Sequence, residues 1–496
     1  SQAIKLKPDY ADAFYNLGQV FKEKEELGKA SENYKWALQY KPSSGEIHNN
    51  LGDVLREIGN LEEALESYRQ TLKYKPGSPE VHNNMAVIFL EQGELDQATA
   101  HCVEAIRIKP DFAEAHYNLG NIAEKRGDKN AAISCYQKTI DIQFDYCDAY
   151  NNIGNIFNHQ GKIPDALEYY KRALALAPEF SLAYYNTGDT LNHLNSAEEA
   201  VKILTKATIL NPDFGQAYNK LGMVYYGIGC YEEAQKWLQL ADKGNEDSYI
   251  LACWYYLDKM PLFKNQMDLL VEKGECNPLV GSLCCRAKKK YGVGMDNPFC
   301  ADPLKYVYES DLRKDCNFES IFVETARRVL GDCRTIFKNQ TLIESGSQTA
   351  GNLFSSEHPD IVEMERVIQS QLDLYFQTFK DSQEGFIKSW PKEYSLSGWL
   401  ISMKNGGKIK PHIHENGWIS GSVYINIPKK TARNSGDLVV SMDAEEKSVN
   451  ERDISSKLIN VRSGTVCLFP SSLHHYTIPF ESIEERIVLA FDVVPK

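Results

Sequence analysis

The first half of the chain repeats itself every thirty-four residues, and a period of that length dictates a stacked array of short units rather than one globular core. Leu17-Gly18, Leu51-Gly52, Leu119-Gly120 and Ile153-Gly154 recur in this register and continue as Thr187-Gly188 and Leu221-Gly222. Twelve positions after each of these sites stands an alanine, from Ala30, Ala64 and Ala98 through Ala132, Ala166 and Ala200 to Ala234. Prolines close most units, as Pro42, Pro76, Pro110, Pro178 and Pro212. Small residues fit where two helices cross closely, and a proline ends the second helix. Seven units run from Ala11 to Asp247; the third replaces its glycine by Ala86 and the fourth has Phe144 where proline is usual. Ala3 and Pro8 fall on the alanine and proline positions of a preceding unit, so the chain is expected to open inside a second helix, as a piece of a longer array.

This pattern resembles the tetratricopeptide repeat, a helix–turn–helix unit whose first helices line a concave face. Two residues before each glycine or alanine site stand Asn16, Asn50, Asn84, Asn118, Asn152 and Asn186, with Lys220 breaking the series. A carboxamide carries donor and acceptor together and can grip a peptide backbone without reading its sequence. The series is similar to the asparagine ladder in the repeat domain of O-GlcNAc transferases, which implies a peptide or protein partner in the groove. The alternative is that these amides join one repeat to the next.

Composition narrows the partners. A chain of 496 residues needs two or three domains. With 43% hydrophobic and 25% charged residues it is of globular type, and no apolar run is long enough to span a membrane. A net charge of −13 without a basic stripe argues against nucleic acid. Twelve cysteines without a CxxC pair read as free thiols, and a cytoplasmic location is expected. Residues 248–315 read as capping helices and a joint, with Arg286-Ala287-Lys288-Lys289-Lys290 as a solvated helix face.

Past the joint, helical periodicity covers Phe318–Leu330 and Ile361–Phe379. Short strands are then predicted at Ser397–Met403, Ile419–Ile427, Asp437–Met442, Ser463–Phe469 and Arg486–Val493. Between the first two lies Pro411-His412-Ile413-His414-Glu415. In a strand, residues i and i+2 share a face, so His412 and His414 can aim two imidazoles at one point. His475, from the distant segment Leu473-His474-His475-Tyr476, would complete one face of a metal with open positions, an arrangement suited to non-haem iron. His474 alternates away from it, and Trp399 and Trp418 are expected in the core.

The combination SGW…PHIHENGWISGSVYINIP…GTVCLFPSSLHHYTIPF…ERIVLAFDVVP resembles a family of 2-oxoglutarate/Fe(II) oxygenases often fused to tetratricopeptide repeats, over residues 316–496. The resemblance implies Fe(II) held by His412 and His475, with O2 as oxidant and 2-oxoglutarate as cosubstrate. Its far carboxylate would pair with Arg486 beside Tyr424, and ascorbate would support turnover. No catalytic residue is implied beyond the metal centre. The departure is His414, which stands where the common triad of two histidines and one carboxylate has its acid. Three readings stay open: His414 ligates; Glu415 or Asp437 supplies the carboxylate; or the protein gives only two ligands.

The expected architecture is α + β and multidomain. A tetratricopeptide α-superhelix (1–247) precedes the joint (248–315) and a jelly-roll or cupin-like double-stranded β-helix with packed helices (316–496). The expected activity is hydroxylation of a peptide or protein presented by the groove, with succinate and CO2 as co-products. Its rivals are a three-histidine cupin-like oxygenase independent of 2-oxoglutarate and a non-catalytic scaffold on a degenerate oxygenase fold.

Overall fold

A computed structural model describes residues 11–194, 196–241, 246–292, 296–333, 335–338, 340, 342–445 and 455–496. Ala3 and Pro8, which carry the expectation of a preceding unit, lie outside them. The chain divides into two compact units, Ser1–Thr190 and Leu191–Lys496.

In the first unit the period becomes helix pairs: Ala11–Glu23 with Leu27–Tyr40, Gly45–Ile58 with Leu61–Tyr74, Pro79–Glu91 with Leu95–Ile108, Ala113–Lys125 with Lys129–Ile142, and Cys147–His159 with Ile163–Leu176. The glycine site is a close approach to an aromatic ring sixteen residues on. A Cβ on Gly18, Gly52, Gly120 or Gly154 would stand 2.5–2.6 Å from the rings of Tyr34, Tyr68, Tyr136 and Tyr170. In the third pair both members change together: Ala86 faces Cys102, both fully buried in one cluster. The methyl group that glycine lacks is accommodated by the ring that cysteine lacks.

Five of the six ladder asparagines donate their amide to the preceding repeat: Asn50 to the Tyr15 hydroxyl (2.8 Å), Asn84 to Asp53 (3.0 Å), Asn118 to Asn83 (2.8 Å), Asn152 to the Tyr117 hydroxyl (3.1 Å) and Asn186 to Asn151 (2.9 Å). Asn16 is exposed. The donors thus join repeat to repeat; the Asn152 oxygen also accepts from Asn151 at 3.5 Å, and the other half-buried amides have their acceptor oxygens to offer elsewhere.

The second unit holds the helices Ala197–Leu210, Gly215–Gly227 and Tyr231–Leu238, then three that end the helical part: Glu246–Tyr256, Met260–Glu272 and Pro278–Tyr291. On the last of these the basic run is solvated at Lys288, Lys289 and Lys290, all exposed as expected, whereas Arg286 is half-buried. Arg286 lies 4.7 Å from the Tyr255 ring centroid and 5.3 Å from that of Tyr256, Lys290 pairs with Asp258 at 2.9 Å, and Lys289 reaches Asp443 at 2.5 Å. A residue-type count cannot see that aromatic rings and acids from other segments meet these cations.

The β region contains β1 (Tyr308–Asp311), β2 (Phe337–Lys338), β3 (Ile343–Thr349), β4 (Tyr394–Ile409), β5 (Ile419–Asn426), β6 (Leu438–Ser441), β7 (Ser456–Ile459), β8 (Thr465–Pro470), β9 (His474–Thr477) and β10 (Arg486–Pro495). They form two antiparallel sheets, ordered β1-β8-β5-β10-β4-β3-β2 and β7-β6-β9. β1 lies in the stretch assigned to the joint, so the larger sheet takes its edge from before residue 316. Alternation along β10 divides its two faces. Ile487, Leu489, Phe491 and Val493 enter the core beneath helix Pro359–Phe379, against Met364, Ile368 and Leu372. Arg486, Val488, Ala490, Asp492 and Val494 face the opposite way and line a cavity.

Candidate metal centre

That cavity measures about 430 Å³ and takes walls from both sheets. His412, His414 and His475 meet in it. Each offers one ring nitrogen, and the three nitrogens lie within 4.8 Å of one another. The strand expected at His412–His414 is reduced to a single antiparallel bridge. His412 N–H donates to the His475 carbonyl (3.3 Å) and His475 N–H to that of His412 (2.9 Å). The chain then turns at Glu415-Asn416, because Pro411 before it and Asn416-Gly417 after it favour a bend over a ladder. The side chains converge all the same, with ring centroids 4.2 Å (His412–His475), 4.9 Å (His414–His475) and 5.0 Å (His412–His414) apart.

Two of the rings are held from behind. His412 Nδ1 meets the Lys410 carbonyl at 2.8 Å, which makes Nδ1 the protonated nitrogen and leaves Nε2 as a lone pair. His414 Nδ1 sits 2.5 Å from Asp492 Oδ1, with the same consequence. Burial, reinforced by the neighbouring rings, lowers the His412 pKa to about 4 and puts His475 well below its usual value. Both rings are therefore neutral at physiological pH, the form that binds a metal. His474 is buried on the other side of its strand, as expected.

Arg486 is the largest fully buried side chain, 1% exposed. Its Nη1 donates to the Gly436 carbonyl, and its guanidinium carbon lies 5.4 Å from the Tyr424 ring centroid. The approach requires glycine, since a Cβ at residue 436 would stand 2.8 Å from Nη1 and its φ is +74°. Nε and Nη2 of Arg486 have no hydrogen-bond partner among the described residues, and neither has the buried Nδ1 of His475. Native interiors seldom leave such atoms unpaired. A carboxylate satisfies the open edge of Arg486, and a divalent metal is what three converging imidazoles satisfy. The residues present thus fit Fe(II) and 2-oxoglutarate.

Neither proposed carboxylate faces the triad as a replacement for His414. Glu415 turns away and accepts the Tyr249 hydroxyl at 2.8 Å, while Asp437 is fully buried and paired with Lys430. Trp418 is in the core, its Nε1–H donating to the Phe386 carbonyl at 2.8 Å. Trp399, expected in the core, instead lines the cavity with its ring 5.7 Å from that of His414. The sequence reading passed over Asp492. Its signal was a lone acid in an otherwise apolar strand, an even number of residues from Arg486 and so on the same face.

Fold and site together define a tetratricopeptide array joined to a double-stranded β-helix with three histidines that could hold a metal ion. Comparison with known families agrees. Residues 397–492 match the family described as "Putative 2OG-Fe(II) oxygenase". Tetratricopeptide-repeat families match residues 1–25, 18–55, 52–93 and 87–127, then 113–146 and 147–180, then 182–214 and 215–247. The chain therefore carries tetratricopeptide repeats over residues 1–247 and a 2OG-Fe(II) oxygenase domain at 397–492. No curated protein matches it. Similar solved structures include MamA (28% identity over 32% of this chain and 93% of that one, TM-score 0.30). Others are pilF of Pseudomonas aeruginosa (19%, 41% and 92%, TM-score 0.37) and a tetratricopeptide repeat protein from Parabacteroides merdae (19%, 46% and 91%, TM-score 0.40). No helix among the described residues is long and apolar enough to cross a membrane.

Proposed function

We propose that this protein hydroxylates a peptide or protein bound by its repeats, using Fe(II), O2 and 2-oxoglutarate and releasing succinate and CO2. The observation that carries the reading is the buried guanidinium of Arg486, with Nε and Nη2 unpaired, in the same cavity as three converging histidines. His412, His414 and His475 would hold the metal through one nitrogen each. Bound Fe(II) supplies the redox chemistry that couples decarboxylation of 2-oxoglutarate to insertion of one oxygen atom into a C–H bond.

The chain's own groups do the rest. Arg486 takes the far carboxylate through a planar pair of N–H donors, which fixes both position and orientation. Tyr424, fully buried with its phenol pKa raised by burial, stays a neutral wall at that end. Ile401, Val488 and Ala490 line the cavity with apolar surface and keep water from it. A cupin-like oxygenase without 2-oxoglutarate would leave the Arg486 edge without a ligand, which is why that reading is second.

The repeats enter as the polypeptide-binding part. With the ladder donors engaged between repeats, the acceptor oxygens of Asn50, Asn84, Asn118 and Asn186 are what they offer to backbone N–H groups. Asn→Asp at several of these positions keeps the acceptors and disturbs the donors, whereas Asn→Ala removes both. Incubation with 18O2 and a peptide pool, read by mass spectrometry, should show one labelled oxygen per modified peptide with the wild type. Ladder alanines should lose that label while substrate-free 2-oxoglutarate turnover continues. Loss of both activities would mean that the ladder serves folding alone.

A further inference from the structure

The three-histidine face has a charge problem that the structure addresses behind His414. A face of two histidines and one carboxylate brings one negative charge to a divalent metal, and three neutral imidazoles bring none. Asp492 lies directly behind the third imidazole, its Oδ1 2.5 Å from His414 Nδ1. The same oxygen accepts the Ser420 hydroxyl at 2.9 Å, and Ser420 in turn is 2.8 Å from Ser471. With the Ser420 proton directed to the carboxylate, Ser471 donates to Ser420, and the chain of donors runs one way, toward Asp492. Asp492 is only 8% exposed, and among the described residues no lysine or arginine pairs with it. Among the described residues its ion-pair partner is His414.

We propose that Asp492 is a positioning residue that delivers the missing carboxylate charge to the metal at one remove, through His414. The inference rests on the metal-centre reading above and specifies how that centre tolerates a third histidine in place of the acid of a two-histidine, one-carboxylate face. Two effects follow. The hydrogen bond fixes His414 with Nδ1 protonated and Nε2 facing the cavity, and the partial negative charge passed to the ring makes that nitrogen a stronger donor. The acid of the common triad has thus been moved to β10, on the face it shares with Arg486, so that one strand serves both the metal and the cosubstrate.

Titration of the full-length apoprotein with Co(II), read by visible absorption and by calorimetry, tests this without turnover. Asp492→Asn, which keeps the shape and removes the charge, should weaken Co(II) about 10–100-fold and alter the absorption band. The decisive comparison repeats the substitution in a His414→Asp background, where the carboxylate already stands at the metal. There Asp492→Asn should cost nothing or strengthen binding, because it removes a repulsion between two acids. A residue needed only for the fold would cost the same in both backgrounds, and that result overturns the proposal. So does unchanged affinity in Asp492→Asn alone. Should Asp492→Asn fail to fold in the wild-type background, the pair in the His414→Asp background decides: a loss on adding it overturns the proposal. Wild-type protein that takes up no Co(II) overturns the metal-centre reading itself, and this role with it.

Discussion

Truncating Arg486 to alanine removes the one arginine or lysine that lines the cavity among the described residues, and losing one partner of a buried charge pair costs about 2–5 kcal/mol. The KM for 2-oxoglutarate should accordingly rise by about thirtyfold to several thousandfold. Arg486→Lys should recover part of this, since a point charge replaces the planar fork. Saturation kinetics with succinate as readout would check both. At the same scale, His82 and His101 face each other in the first unit, Nδ1 to Nδ1 at 3.0 Å. Burial lowers both pKa values, against which Glu104 pulls upward while Arg107 (at His82) and Arg69 (at His101) push down. Their folded values lie below the ordinary value near 6.5, so the unfolded chain binds more protons in the window beneath it. Stability should be full above about pH 6.5 and fall as pH drops below it. Thermal melts from pH 7.5 down to pH 5 would show this, and His101→Gln should flatten the slope. Among single residues, the convergence of His412 and His414 was legible in their i, i+2 spacing, and His475 and Arg486 were singled out by the family resemblance; all four line one cavity. Asp492 was hidden because its role depends on which ring lies behind β5 and β10, which no linear spacing encodes.

At the scale of elements, the paired change at the helix crossings makes a sharp expectation. Gly120→Ala forces a methyl group into the Tyr136 ring and should destabilise by about 1–3 kcal/mol, as overpacking does. Adding Tyr136→Cys, which copies the Ala86–Cys102 pair of the third repeat, should restore part of the loss. A chemical-denaturation cycle over the two singles and the double would measure the coupling. The segment carrying the metal ligands is tied to the helices before it by Tyr249–Glu415 at 2.8 Å and by Ile413 packed among Leu251, Leu279 and their neighbours. Tyr249→Phe leaves a buried carboxyl without its donor and should cost about 1–3 kcal/mol, visible as a lower melting midpoint of the second unit. The repeats were readable at this scale because each unit restates the last. The five strands found from sequence are those with sustained apolar content. β1 and β9 read YESD and HHYT, too short and polar to show a period, and are strands only because β8 and β6 offer them edges.

At the scale of the whole molecule, all six ladder asparagines belong to the unit that ends at Thr190, and every residue that lines the cavity belongs to the other. A fragment of residues 191–496 should therefore fold, bind Co(II) and turn over 2-oxoglutarate, yet fail to modify peptides. A fragment beginning at residue 316 should not fold, since it lacks β1 and the helices that hold Glu415 and Ile413. The central claim, that a three-histidine metal and a buried arginine in one cavity make a 2-oxoglutarate oxygenase, is tested most directly by succinate formation. The full chain, Arg486→Ala and His475→Ala would be assayed side by side with Fe(II), O2, ascorbate and 2-oxoglutarate. The account predicts succinate from the wild type, suppressed in Arg486→Ala unless 2-oxoglutarate is greatly raised, and absent from His475→Ala at any concentration. Equal succinate from all three proteins would contradict it.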